Sequence, residues 1–338
     1  MIWRVSLLAG LVCGATAPAQ ELREPQTSIR TQIDIVPVHG NIYLFAGAGA
    51  NITASVGPEG VLLVDSGRAE MSEKVRAAIE HLNRELTSGG KPIQSAKPVK
   101  PIRYIVNTSP LPDHTGGNEK LAEAGKTFTG GNVIAEFSDA AQGASILAHE
   151  NALQRLSAAK LPSKGLPMET YYGSVMKLSH FFNGEGVELI HIPSAVTDGD
   201  SIVYFRGSDV ISAGDIFNMT SYPYIDLLHG GTVQGILAGL NRMLDIVVPE
   251  FRSEGGTMVI PGHGRISDTA DLAYYRDMVT IIRDRIQDMM SKDLTLEQVK
   301  AAKPTEDWDP RFGTNPSWTP DMFVEAVYKS LGNTSVKK

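Results

Sequence analysis

The chain has 338 residues, of which 42% are hydrophobic and 20% charged, and its formal net charge is −7. These values are typical of a globular protein large enough to bury a substantial core, and they exclude a disordered chain. The negative charge argues against nucleic acid or an anionic membrane as the main partner.

The first residues have the pattern of a secretory signal peptide. A positively charged start over 1–4 precedes an apolar run over 5–15 that is too short to span a bilayer. Small residues at Ala17 and Ala19 predict cleavage after Ala19, which leaves a short mature tail over 20–32. We therefore expect a secreted or periplasmic protein with no membrane insertion after signal cleavage.

Cys13 is the only cysteine of the sequence, and it would be removed with the signal peptide 1–19. The mature protein would then have neither disulfides nor thiolate metal ligands. Any metal ion must be held by histidine, carboxylate, hydroxyl or carbonyl groups.

The first half of the predicted domain, which spans 33–290, begins with short strands. Apolar runs broken by Gly and Pro predict antiparallel strands over 33–38, 42–46, 52–56 and 61–64. An amphipathic helix follows, with Ser72 as its N-cap and an apolar face formed by Val75, Ala78, Ile79 and Leu82. A Gly-, Lys- and Pro-rich surface insertion is predicted over 88–100, before a strand over 104–106.

The second half predicts further helices and strands in alternation. We expect a helix over 138–160, a loop over 161–174, and strands over 188–192, 202–205, 210–213 and 257–260. Helices are predicted near 235–246 and along a face that runs from Tyr275 to Met289. A capping box of Thr295 and Gln298 opens a C-terminal helical extension, 291–338, which is expected to pack on the domain. This order suits an α/β fold of two mixed sheets flanked by helices, an αββα sandwich.

Four acidic or imidazole side chains follow predicted strands at turns marked by Gly or Pro. Asp113 and His114 come after the strand over 104–106, while Asp215 and His263 follow the strands ending at 213 and 260. If these strand ends share one edge of the sandwich, two carboxylates and two imidazoles converge, a set that suits a divalent metal ion. A hydrogen-bonded structural network is the alternative interpretation.

The stretch Asn107–Asn118, NTSPLPDHTGGN, resembles the signature loop of the metallo-β-lactamase superfamily, which reads Asn-Thr-His-x-His-x-Asp-His-Thr-Gly-Gly-Asn. Further motifs of that family are matched in order by 64–67, 197–200, 214–215 and 261–264. The resemblance covers 33–290 and implies the αββα fold, a divalent metal cofactor and hydrolysis. Substrates in this superfamily include β-lactams, lactones, thioesters, phosphoesters and sulfate esters.

The departures from the family pattern are confined to one metal site. The three histidine positions of the first site hold Ser109, Leu111 and Val196, and neither Leu nor Val can bind a metal. All residues of the second site are present, so the resemblance implies one metal ion held by the remaining set, namely Asp113, His114, Asp215 and His263. Zinc is expected, with iron or manganese as alternatives.

Other roles follow from the same resemblance. Asp113 and Asp215 are expected to take part in catalysis, and Asp65 and Thr115 to support the metal ligands. Without a cation, the two catalytic carboxylates should repel each other and the pKa of one should rise. A loop with Tyr222, Asp226 and His229 resembles one that flanks the active-site mouth in secreted relatives, and His229 should face either a substrate or solvent.

Three functions remain open at this point. The first is a hydrolase that uses one metal ion, slower than its two-metal relatives because two carboxylates formally cancel the charge of a dication. The second is a catalytically inactive relative that binds a small molecule or partner, and the third is a mononuclear iron or manganese enzyme. The missing histidines predict β-lactam hydrolysis near background and a higher metal stoichiometry when all three are restored.

Overall fold

The computed structural model describes residues 22–24, 32–88, 101–126, 143–178, 180–248 and 256–334. The expected signal peptide 1–19 lies outside these ranges, as do nearly all of the expected insertion and much of the mature tail. Within the described ranges, twelve strands form two sheets.

The first sheet has seven strands that are hydrogen-bonded in chain order. They are β1 (Asp34–His39), β2 (Ile42–Ala46), β3 (Ile52–Gly57), β4 (Gly60–Val64), β5 (Ile102–Val106), β6 (Ser145–His149) and β7 (Glu169–Tyr171). Strands β1 to β4 run antiparallel, and β4 to β7 run parallel. The parallel half therefore presents the carboxyl ends of β4, β5 and β6 at one edge.

The second sheet has five strands in the order β12–β11–β10–β9–β8. They are β8 (Val175–Lys177), β9 (Val187–His191), β10 (Ser201–Phe205), β11 (Val210–Ser212) and β12 (Met258–Ile260). Only β11 and β12 are parallel neighbours among these five strands, so their carboxyl ends also meet at one edge.

The described ranges contain nine α-helices. They are α1 (Ser72–Ser88), α2 (Pro112–Thr115), α3 (Asn118–Glu123), α4 (Glu150–Ala158), α5 (Val233–Leu244), α6 (Thr269–Ser291), α7 (Leu296–Ala301), α8 (Asp309–Phe312) and α9 (Pro320–Thr334). None of the helices in the part of the chain that the structure describes is long and apolar enough to cross a membrane.

Three buried clusters define the layers. On β4, Leu62 and Val64 pack between the sheets against residues of β10, whereas Val61 and Leu63 point to the opposite face and pack against α1. Helices α5 and α6 cover the outer face of the second sheet. Each fully buried Leu or Val contributes about 1.5–3 kcal/mol to folding. The predicted αββα sandwich is confirmed.

The prediction of a helix over 138–160 is wrong where the chain forms β6, which is followed by α4. Every residue of β6 is buried, because β5 and β7 flank it in the parallel part of the sheet. A short, wholly buried strand has no alternating pattern, so periodicity does not distinguish it from a buried helix. Strand β7 likewise lies inside the loop predicted over 161–174, and β8 was not predicted.

The N-termini of α7 and α1 can be compared with the capping residues predicted from the sequence. Thr295 and Gln298 form the expected capping box at the start of α7. Ser72 is instead the first residue of α1, and its hydroxyl donates to the carbonyl of Ala69. The helices after residue 291 share the buried cluster of α5 and α6, to which they contribute Phe312 and Phe323.

Candidate metal centre

Four side chains from both sheets meet at the edge where the parallel strands end. Asp113 and His114 lie on α2, which follows β5. Asp215 lies in a 3-10 helix, Gly214–Ile216, directly after β11, and His263 follows β12. The sequence-based expectation that these strand ends share one edge therefore agrees with the topology.

The donor atoms of these four residues lie within 4.8 Å of one another, and all four side chains are buried. The Nε2 atom of His263 is 3.1 Å from Asp113 Oδ2 and 3.2 Å from Asp215 Oδ1. The Nε2 atom of His114 is 3.3 Å from Asp215 Oδ2. Two imidazole nitrogens thus face two carboxylates across a small buried space.

Three atoms of this cluster have no hydrogen-bond partner: Asp113 Oδ1, His114 Nε2 and Asp215 Oδ1. A buried polar atom without a partner costs about 1–3 kcal/mol. A divalent ion coordinated by nitrogen and oxygen atoms would satisfy all three atoms at once. The donor set therefore fits a metal ion better than it fits a closed hydrogen-bond network.

Asp65 fixes the orientation of His114. Its Oδ2 accepts the Nδ1–H of His114 at 2.7 Å and the hydroxyl of Thr108 at 2.6 Å, while its Oδ1 accepts the Thr108 amide at 2.8 Å. With Nδ1 donating to Asp65, the Nε2 atom of His114 is the one directed into the cluster. Such a carboxylate–histidine pair fixes the tautomer and raises ligand basicity.

Replacing Asp65→Asn should weaken metal binding by about 10–100-fold, because the NH2 group of asparagine cannot accept a hydrogen bond and its single oxygen cannot serve the His114 imidazole and both Thr108 donors. The measurement is zinc affinity by isothermal titration calorimetry. Asp307→Asn is the matched control, since Asp307 is 60% exposed and pairs with Arg285 on the surface. Equal affinities for the two variants would contradict an orienting role for Asp65.

The loop that carries His263 is held by Asn51, which sequence analysis did not single out. The side-chain amide of Asn51 donates to the carbonyls of Pro261 and Gly264, both at 2.9 Å. Gly262 leaves room for the ligand, because a Cβ atom there would lie 2.1 Å from Asp215 Oδ1. The expected support from Thr115 takes another form: its hydroxyl donates to the carbonyl of Leu111, within the turn that carries Asp113.

The pKa values of the carboxyl and imidazole groups in the cluster differ from the sequence-based expectation. Burial alone would raise the pKa of Asp113 and Asp215, but the facing imidazoles outweigh it and hold both carboxyl pKa values below the ordinary value. Burial opposes a charge on His263, yet the two carboxylates raise its pKa to about 10. Likewise, Asp65, Asp215 and Asp113 raise the pKa of His114 well above its ordinary value, against the effect of burial. The expected rise of one carboxyl pKa is wrong, because protonated imidazoles supply the positive charge.

The positions of the missing histidines are filled by packing. Leu111 and Val196 are fully buried and belong to the cluster that covers the second sheet. Ser109, also buried, hydrogen-bonds the carboxyl group of Asp200, whose pKa burial raises to about 8 although the Thr197 amide and Ser109 oppose the shift. No donor set for a second ion forms among the described residues.

The loop with Tyr222, Asp226 and His229, which was expected to flank the active-site mouth, is more buried than the sequence predicted. Tyr222 is fully buried, with its hydroxyl 2.8 Å from Asp309 Oδ1, so it joins the loop to the C-terminal helices. His229 is only 3% exposed, and its Nδ1 lies 2.6 Å from Asp226 Oδ2. This burial excludes the expectation that His229 lies in solvent.

A cavity of about 670 Å³ opens beside the cluster. His263 lines it together with Gly47, Gly49, Asn51 and Gly264. Small residues on the turn between β2 and β3 leave this side of His263 open, so a small molecule can approach here.

The family model of the metallo-β-lactamase superfamily matches residues 37–263, more than half of the chain. The chain therefore belongs to this superfamily, as the sequence motifs predicted. No curated protein matches it.

Solved structures confirm the fold. The DIM-1 metallo-β-lactamase is 16% identical with a TM-score of 0.52, over 74% of this chain and 97% of that chain. The stereoselective inverting sec-alkylsulfatase Pisa1 from Pseudomonas sp. is 17% identical with a TM-score of 0.59, over 88% of this chain and 50% of that chain. At such identities the likeness concerns the fold alone, and this chain spans about half of the sulfatase.

Proposed function

We propose that the protein is an exported hydrolase that binds one divalent metal ion through Asp113, His114, Asp215 and His263 and acts on a small molecule. The observation that carries this proposal is the buried cluster, in which three donor atoms have no hydrogen-bond partner. Membership of the metallo-β-lactamase superfamily supports the hydrolytic chemistry. Export rests on the signal-peptide pattern, and N-terminal sequencing that begins at Gln20 would support it.

When bound, the ion supplies Lewis-acid chemistry towards a carbonyl or other ester oxygen. The protein supplies the positioning. Asp65 holds His114 in place, and Asn51 holds the loop of His263. The carboxylate of Asp215 lies between both imidazoles, 3.2 Å from one and 3.3 Å from the other, where it can accept a proton from an attacking water.

Zinc is the ion we propose, because nitrogen and carboxylate ligands without thiolates are common in its catalytic sites. Two histidines with carboxylates also suit iron and manganese, which would support the mononuclear redox or lyase alternative. Metal identity in the purified protein distinguishes these cases.

The test is hydrolysis of one chromogenic substrate from each class named for the superfamily. We expect chelator-sensitive turnover in at least one class and β-lactam turnover near background. Asp215→Asn should lower the active turnover at least tenfold, since removing one positioned proton acceptor costs about 10²–10⁴-fold in rate. The matched control Asp307→Asn should leave it unchanged.

A second candidate function is binding without catalysis. Leu111 and Val196 favour it, because both are packed into the core where the family places activating histidines. A protein that binds metal at the cluster but hydrolyses no member of the panel would support this alternative and contradict the hydrolase proposal.

A further inference from the structure

A carboxylate from the N-terminal tail lies against the candidate metal centre. One oxygen of Glu24, Oε2, accepts the backbone N–H of Asp113 at 2.6 Å. The other oxygen, Oε1, lies 2.5 Å from Nη2 of Arg68. The side chain of Glu24 is only 8% exposed, so this carboxylate is enclosed on both sides.

The same tail segment lines a cavity with apolar walls. Leu22 is buried, and it lines a space of about 660 Å³ together with Arg68, Pro110, Pro112 and Leu161. The walls at Pro110 and Pro112 belong to the loop in which the family places its first-site histidines. The cavity thus lies beside Arg68 and the start of α2, the helix that carries Asp113.

Glu24 and Asp113 bring two carboxyl groups together, and such neighbours repel when both are charged. A divalent ion held by Asp113 would offset this repulsion. Metal binding and carboxylate binding beside Arg68 should therefore favour each other.

We propose that Arg68 and the backbone amide of Asp113 form a carboxylate-binding subsite of the metal centre, which Glu24 occupies within the same chain. A carboxylate on the substrate replaces Glu24, and the apolar part of the substrate fills the cavity lined by Leu22. This inference rests on the proposed function and deepens it, because it assigns the substrate to the class of anionic carboxylates.

The test uses acetate as the probe and the melting temperature of the zinc-loaded full chain as the readout. A tethered carboxylate acts at an effective concentration in the millimolar range, so Glu24 competes with free acetate in the wild type. Glu24→Ala should lower the apparent dissociation constant of acetate at least tenfold. At ten times that constant, the melting temperature should rise by about 3 °C relative to sodium chloride at matched ionic strength. Glu24→Gln, which retains the side-chain volume, should respond in the same direction.

The double variant Glu24→Ala with Arg68→Gln separates the subsite from direct binding of acetate to zinc. We expect it to lose the acetate response. An equal response of the wild type and Glu24→Ala, or a response that persists in the double variant, would overturn the proposal. The melting temperature is measured without turnover, so its outcome is independent of the hydrolysis test. A protein that hydrolyses no substrate of the panel can still bind acetate at the subsite, and an active hydrolase can still show no acetate binding.

Discussion

Zinc at one hundred times its dissociation constant is expected to raise the melting temperature by roughly 5 °C, since ligand binding at that ratio stabilises the native state by about 2.7 kcal/mol. The physical reason is that the ion satisfies the partnerless atoms of the cluster and replaces the positive charge of two protonated imidazoles. Manganese and iron(II) should also stabilise, magnesium less, and chelator should abolish the shift.

His263→Ala should remove most of this shift, because it deletes one of two nitrogen ligands. His81→Ala is the matched control, since His81 lies on α1 with 61% of its side chain exposed. A shift that survives in His263→Ala would mean that the ion binds elsewhere.

At a fixed zinc concentration, the shift in melting temperature should grow as the pH rises from 6 to 8. The neighbouring carboxylates raise the pKa of His114 well above its ordinary value and that of His263 to about 10, so a protonated imidazole must lose its proton when it binds a metal. Apparent affinity should therefore increase about tenfold per pH unit for each proton released. Zinc affinity that is independent of pH would contradict this charge assignment.

Restoring Leu111→His and Val196→His together should destabilise the fold by several kcal/mol rather than rebuild the first metal site. Both side chains are fully buried in the cluster that covers the second sheet. An imidazole at either position enlarges or reshapes a packed site, which costs about 1–3 kcal/mol, and buries polar nitrogens at a further cost. The measurement is the free energy of unfolding in urea.

Val248→His is the matched control for this pair, because Val248 is 58% exposed, and it should change stability little. The sequence alone predicted that adding Ser109→His to the pair raises the metal stoichiometry. The packing around Leu111 and Val196 changes that expectation. A triple variant with wild-type stability and a second bound ion would show that the first site still has ligand geometry.

The metal cluster could be predicted from sequence because its residues fall in short, contiguous motifs. Asp113 and His114 belong to one twelve-residue stretch, and His263 is marked by the glycines and proline of its loop. Asp65 was found through its motif as well, but the other residues that hold these ligands could not be found in the same way. Thr108 meets Asp65 across 43 positions, Asn51 meets Pro261 across 210, and Glu24 meets Asp113 across 89. Such pairings depend on tertiary folding, which local periodicity does not encode.

In the fold, too, some elements could be predicted from the sequence and others could not. Strands β2 and β4 could be placed within one residue, because Gly residues and turns bound their apolar runs. Strand β6 could not, since burial on both faces removes the alternation that distinguishes a strand. The packing of Leu111 and Val196 into the core at the first-site positions could not be predicted from the sequence either. The sequence showed only that neither side chain can bind a metal.

Metal content per chain, measured by elemental analysis of protein purified without added metal and again after loading with zinc, tests the central claim most directly. One divalent ion per chain is the predicted result, lost in His263→Ala and retained in His81→Ala. Absence of bound metal before and after loading would contradict the claim. Two ions per chain would contradict it as well, because the structure offers one complete set of ligands among its described residues.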